Sequence, residues 1–341
     1  MTDFKDLFSC ELYKTNRKRT LLKLGIALVV IILFMTLISA VLKNVLGDFI
    51  NNIGGEFGSS QENIAELEME IEYFEQNQTW LNKLLPDTTL YELKARLTAY
   101  KYLNENGLAP SSVTYYSAGS FMDFNFYGFT EMCMSTVMTV IIIFIMVACV
   151  RATSGEYASG ALKMQFIRPI NKNKFFTAKW LSVFSIAEAY LIASFILSFI
   201  IGVIVYGANC PNVLLISGAS KAFLTSAFGA LALGMFFKSI MLFMIVQAGM
   251  FIGTFCKSAS KALVLGLVFI AFEIGELLET VLALGYVGYV GFLANLDWMS
   301  ALSLTGPAFK GMSLGTMIPI TLAWGAGFMY FAYRRFNKLE V

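Results

Sequence analysis

Long apolar runs separated by charged segments dominate the chain, and their lengths predict a bundle of membrane-spanning helices. The first run, about Leu24 to Leu42, follows a basic anchor at residues 15–23 and can cross a bilayer at about 1.5 Å per residue. Further spans are predicted near Met132–Val150, Trp180–Tyr206, Met241–Phe255, Ala262–Leu284 and Thr316–Tyr333. Ahead of them, Phe4, Leu7, Phe8 and Leu12 share one helical stripe, which predicts an interfacial elbow helix. A cleavable signal peptide fits poorly, since the apolar run after Lys23 is too long and no small-residue cleavage site follows it. Residues 285–315 break the pattern: Gly285, Gly288 and Gly291 punctuate them, and Asp297, Pro307 and Lys310 interrupt them. Irregular backbone at membrane depth persists only where protein or a watery cavity covers it.

Residues 48–130 form a polar insertion between the first two spans. Ile64, Leu67, Ile71, Phe74, Gln78, Leu81 and Leu85 alternate at spacings of three and four, a heptad seam that Pro86-Asp87 ends. Thr89 and Glu92 form a capping box that opens a second helix with its stripe at Leu90, Leu93, Leu97 and Tyr100. An antiparallel hairpin follows, too small to be stable alone, so it needs a partner subunit or the spans to lean on. Its acids (Glu62, Glu66, Glu68, Glu70, Glu72, Glu75) read as a solvated face, or as a cap that repels anions or receives a cationic substrate. The aromatic residues from Tyr115 to Phe129 suit a headgroup belt. Residues 207–220 read as an outer loop, and Lys221 to Phe237 as the outer start of a long, bent fourth helix. Gly249-x-x-x-Gly253 permits close helix approach and, with the hairpin's small core, suggests pairing with a second permease-like subunit.

Composition agrees with a membrane protein: 57% of residues are hydrophobic, 14% are charged, and mean hydropathy is +0.68. Charge distribution sets the orientation. Seventeen of the 25 Lys and Arg fall in residues 1–23, 151–179, 257–261 and 334–338, which predicts that these segments and both termini are cytoplasmic and residues 48–130 external. The chain has no histidine, so imidazole bases, histidine metal sites and Ser-His or Cys-His pairs are excluded. Its five cysteines are scattered, without metal-ligand spacing. No Gly-Lys dipeptide occurs, so the chain has no P-loop of its own.

The segment 151–179 holds six cations and one acid, Glu156. Tyr157, Ala161, Leu162, Phe166 and Ile167 recur near helical spacing, predicting a short amphipathic helix from Tyr157 to Ile167 that Pro169 ends. Glu156-Tyr157-x-x-Gly160-x-Leu162-Lys163, then Arg168-Pro169, then Lys174 and Lys179, resembles the first cytoplasmic loop of ABC-2-type permeases, the membrane subunits of ATP-binding-cassette exporters. Ala161 departs from that pattern, where the family more often has Thr. The resemblance implies that Glu156, Tyr157, Gly160, Leu162, Lys163, Arg168 and Pro169 form a coupling surface for a separate cytosolic ATPase. ATP and magnesium would bind that ATPase, and no cofactor would bind this chain. It further implies a second permease subunit, re-entrant segments before the last span and residence in the plasma membrane among lipids, with no role for nucleic acid.

The fold class expected is therefore all-α with six spans. Its parts are an elbow over 1–23, a first span over 24–47, an extracellular insertion over 48–130 and a transmembrane remainder over 131–341. The candidate translocation-path residues are Glu188, Gln247, Glu273 and Glu276, because a carboxylate at bilayer depth costs about 2.5–3.5 kcal/mol unless it is buried in a bundle or lines water. Glu273 lies about 18 Å along its helix from Lys261, and Glu276 shares its face. These carboxylates read either as a polar wall for a cationic group or as hydrogen-bonded structural groups. Function narrows to an ABC exporter permease for an amphipathic or hydrophobic substrate, a peptide or antimicrobial above all. The alternatives are a gradient-driven transporter or channel, for which no internal repeat is visible, and a membrane sensor with a ligand-binding hairpin.

Overall fold

A computed structural model describes residues 4–16, 19–54, 60–77, 88–116, 125–166, 171–256, 258–274, 290–307 and 312–338. Five of its helices are long and apolar enough to cross a membrane. They are α2 (Arg19–Gly54), α5 (Phe126–Val150, continued to Ala158), α7 (Lys172–Tyr206), α8 (Ala227–Phe255) and α10 (Leu314–Asn337). The described part of the predicted fifth span is a shorter apolar helix, α9 (Ala259–Ile274), and residues 275–289 lie outside the described residues. The segment expected to be an elbow contains α1 (Phe4–Asn16), with Leu7 buried against the bundle.

Helix α5 is the hub. It packs against α7, α8, α9 and α2. Its sequence is apolar all round, so it can bury Cys133, Met134, Val137, Ile141, Ile145 and Cys149 on several faces at once. Among its described side chains, helix α2 instead buries Leu24, Leu28, Ile32 and Ser39 on one stripe and exposes Ile26, Val30, Phe34 and Leu37, a face suited to lipid. Small residues let α8 lie close to α5. A Cβ at Gly249 would stand 3.0 Å from the Cys149 Cβ, and one at Gly253 would collide with Thr153. The Gly249/Gly253 motif, read as a subunit contact, thus packs against α5 within the chain.

The second departure is a three-stranded sheet at the end of the bundle remote from α1. Strand β2 (Asn212–Ser217) pairs in parallel with β1 (Val113–Tyr115) and antiparallel with β3 (Lys221–Thr225). Segments expected to be a loop and a helix start are therefore strands, and α8 begins only at Ala227, capped by the Ser226 side chain accepting from Gly229 N. Gly218 and Ala219 both have positive φ, +61° and +54°, the turn that matches the twist of a tight hairpin. Strand β2 is buried on both faces. Val213 and Leu215 join a core with Phe126, Tyr127 and Leu231 of the bundle, while Leu214 and Ile216 face Ala95 and Ala99.

Those alanines belong to α4 (Thr88–Glu105), which pairs with α3 (Ser60–Gln76) as the expected helical hairpin. Leu67 and Ile71 of the seam pack on Leu90 and Leu93, with Phe74, Leu97 and Tyr100 alongside. The lower seam residues Gln78, Leu81 and Leu85 lie outside the described residues. The hairpin thus leans on the sheet, and the sheet on the bundle. Phe126, Tyr127 and Phe129, expected in a headgroup belt, are buried in this stack, because α5 begins at Phe126 rather than Met132. Before α10, the chain runs through two single 3-10 turns, Leu293–Asn295 and Ser300–Leu302, held by Trp298 Nε1 donating to the Asn295 carbonyl at 3.0 Å. This is the irregular segment that the sequence predicts there.

Candidate functional site

At the end of the bundle that carries α1, α5 does not stop where the apolar run stops. It passes through a wide turn, Arg151–Gly155, and closes with one last turn, Glu156–Ala158. The chain then reverses at Gly160, whose φ of +72° is the left-handed conformation that favours glycine. No atom lies within 4 Å of a Cβ built there, so Gly160 serves the turn, not close packing within this chain. A short helix, α6 (Ala161–Phe166), follows. The predicted Tyr157–Ile167 helix is therefore in two pieces over its described residues: Tyr157 closes a membrane span, and 161–166 form a separate helix.

The two pieces are held from behind. Leu162 is 1% exposed, and Phe166 contacts Phe175 and Phe336 at ring-centroid distances of 5.7 and 6.1 Å. Tyr157 lines a shallow cleft with Thr153, Ser154, Leu162, Gly253 and Phe336. On the opposite side Met164 is 73% exposed, more than any other large apolar side chain among the described residues at this end.

Behind the turn lies a buried charge cluster that sequence reading did not anticipate. Lys179 of α7 is fully buried, and its Nζ donates to Glu11 Oε2 at 2.8 Å and to Glu156 Oε2 at 2.6 Å. Lys14 pairs with Glu156 Oε1 from the other side. Burial works against the charged form of Lys14, but the hydrogen bond with Glu156 and the charge of Glu11 outweigh it and hold its pKa above the ordinary lysine value. The Lys179 ammonium also sits 4.5 Å from the Phe175 ring. Two carboxylates and two ammonium groups thus tie the elbow, the end of the second span and the start of the third into one platform. Glu156, expected on the coupling surface, is buried and paired within the chain, and Lys179 lies within α7 rather than in a loop. Side-chain placement of Lys163, and all of Arg168 and Pro169, lie outside the described residues.

Of the four candidate path residues, the side chains of Glu188 and Gln247 are described. Glu188 of α7 accepts from Ser239 Oγ of α8 at 2.6 Å, and its Oε2 is buried without a hydrogen-bond partner among the described residues. Gln247 lies two turns further along α8, is 6% exposed, and has its Oε1 likewise unpartnered. It fits only because position 325 of α10 is glycine: a Cβ there would be 2.5 Å from Gln247 Oε1. Glu273 is on α9, its side chain outside the described residues, as is Glu276. Sequence reading missed a further pair at depth. Lys238, taken as a span boundary, sits well inside α8 and pairs with Glu131 of α5, both side chains 13% exposed. Among the described residues no group of three or more His, Cys, Asp or Glu could hold a metal ion.

The described chain is thus a multi-pass helical bundle with a short helix packed beneath the end of its second span. The comparison with family descriptions is direct: residues 7–341 match the ABC-2 family transporter proteins, and the chain belongs to that family. It is a permease subunit of an ABC transporter, a class whose ATPase activity lies in separate partner subunits. No curated protein sequence matches it.

Proposed function

We propose that this permease works as an exporter whose ATPase docks on the α6 turn, with Met164 as the apolar anchor and the Glu11–Lys14–Glu156–Lys179 platform as its rigid backing. The observation that carries this is the two-sidedness of α6: Leu162 is 1% exposed and Met164 is 73% exposed. A force applied at Met164 passes into α5, α7 and the elbow together, because one buried lysine joins all three. The basic end then faces the cytosol, in keeping with its excess of Lys and Arg. ATP and magnesium would bind the partner only. A second permease subunit would complete the path through a surface other than Gly249 and Gly253.

The substrate reading is an amphipathic or hydrophobic molecule, a peptide or antimicrobial above all. The unpartnered oxygens of Glu188 and Gln247 and the Glu131–Lys238 pair give an apolar bundle a few polar contacts for such a molecule. The test is affinity purification of the full-length protein from native membranes. An ATP-binding-cassette ATPase should co-purify with the wild type and be lost with Met164→Asp, while Met69→Asp on the remote hairpin retains it. Equal recovery with Met164→Asp would reject α6 as the docking element.

A further inference from the structure

The outward face of α3 is left over once the fold is accounted for, and its chemistry is specific. The inward face packs on α4 through Leu67 and Ile71. The flanks are zipped by Glu68–Lys101 and Glu75–Lys94, each at 2.7 Å. Arg96 is spent on Glu92 within α4. That leaves Glu66, Glu70 and Glu72 without a cation among the described residues, and α3 itself contains no Lys or Arg. Between these acids, Met69 and Tyr73 stand one turn apart, each 66% exposed. At about 100° per residue, Glu66, Met69 and Tyr73 fall on one narrow stripe opposite the packed face.

Two large apolar side chains, Met69 and Tyr73, thus stand exposed on one stripe flanked by carboxylates. We propose that this stripe is a docking surface for a cationic amphipathic peptide, so that the hairpin receives the substrate class of the path beneath it; this rests on the peptide-export reading above. Charge complementarity selects the occupant. A second copy would set carboxylates against carboxylates. A bilayer surface attracts amphipathic helices with a basic polar face, not an acidic one. A cationic helix instead satisfies Glu66, Glu70 and Glu72 while laying its apolar side on Met69 and Tyr73. Methionine adapts to varied shapes, and tyrosine gives broad contact at low entropic cost.

The test uses full-length protein in nanodiscs of neutral lipid and an 18-residue Leu/Lys helix-forming peptide, with binding read by fluorescence anisotropy. Met69→Ser/Tyr73→Ser should weaken binding about tenfold or more, because such anchors dominate small interfaces. Glu66→Lys/Glu70→Lys should abolish it and create binding of a Leu/Glu peptide of the same pattern. Binding should fall steeply between low and high salt. Unchanged binding in both variants, or no binding beyond empty nanodiscs, overturns the proposal. ATPase co-purification on the same preparations separates the cases: an intact complex that ignores the peptide refutes the docking surface and leaves the permease reading standing.

Discussion

Lys179 is the residue on which the basic end depends. It is fully buried, with Glu11 and Glu156 within hydrogen-bond reach of its ammonium. Breaking a buried pair by removing one partner costs about 3–5 kcal/mol, since the remaining charges stay desolvated. Lys179→Met should therefore lower the thermal midpoint of the purified protein substantially. Lys179→Met/Glu11→Met should recover most of the loss, because Lys14 still neutralises Glu156. A single variant as stable as the wild type would mean that the cluster is solvated. None of this was legible along the chain. Glu156 was visible as the lone acid of a basic loop, but its partners are 142 and 23 positions away, and only the fold shows that its charge is already satisfied. Gly160 was legible as part of the loop pattern, but its place in a left-handed turn was not, since a positive φ leaves no trace in periodicity.

At the scale of elements, the α5–α8 contact is the test of packing. Gly253 meets Thr153, whose Oγ1 donates to the Cys149 carbonyl at 2.7 Å, so the facing surface cannot easily retreat. Gly253→Val should destabilise by about 1–3 kcal/mol through overpacking, while Gly327→Ala, with open space around it, should be neutral. The comparison of melting temperatures in one detergent checks both, and an unaffected Gly253→Val protein would show the helices to be loosely apposed. The long apolar runs and the Leu67–Ile71 seam were readable because burial on one face imposes a period. The sheet was not. Val213–Ile216 is a short apolar run buried on both faces, which carries no alternation, and its turn is Gly-Ala rather than a familiar Asn-Gly. The span boundaries slipped for a related reason: α5 continues past Val150 into polar residues that only tertiary contact buries, such as Thr153 and Ser154.

For the whole molecule, the α3–α4 pair and the sheet lie at one end, the bundle between, and the α6 turn proposed to dock an ATPase at the other. The sequence already implied this order, because charge asymmetry and the 151–179 loop act locally; the stack of hairpin, sheet and bundle needed the fold. Orientation follows from the basic end. A cysteine at position 70 should react with an impermeant thiol reagent in whole cells, and one at position 172 should not; the reverse would invert the account. The most direct measurement is photo-cross-linking in native membranes from a benzophenone amino acid placed at position 164 and, separately, at position 73. The account predicts a covalent adduct with an ATP-binding-cassette ATPase from position 164 and none from position 73. No ATPase adduct from position 164, or one from position 73, would contradict it.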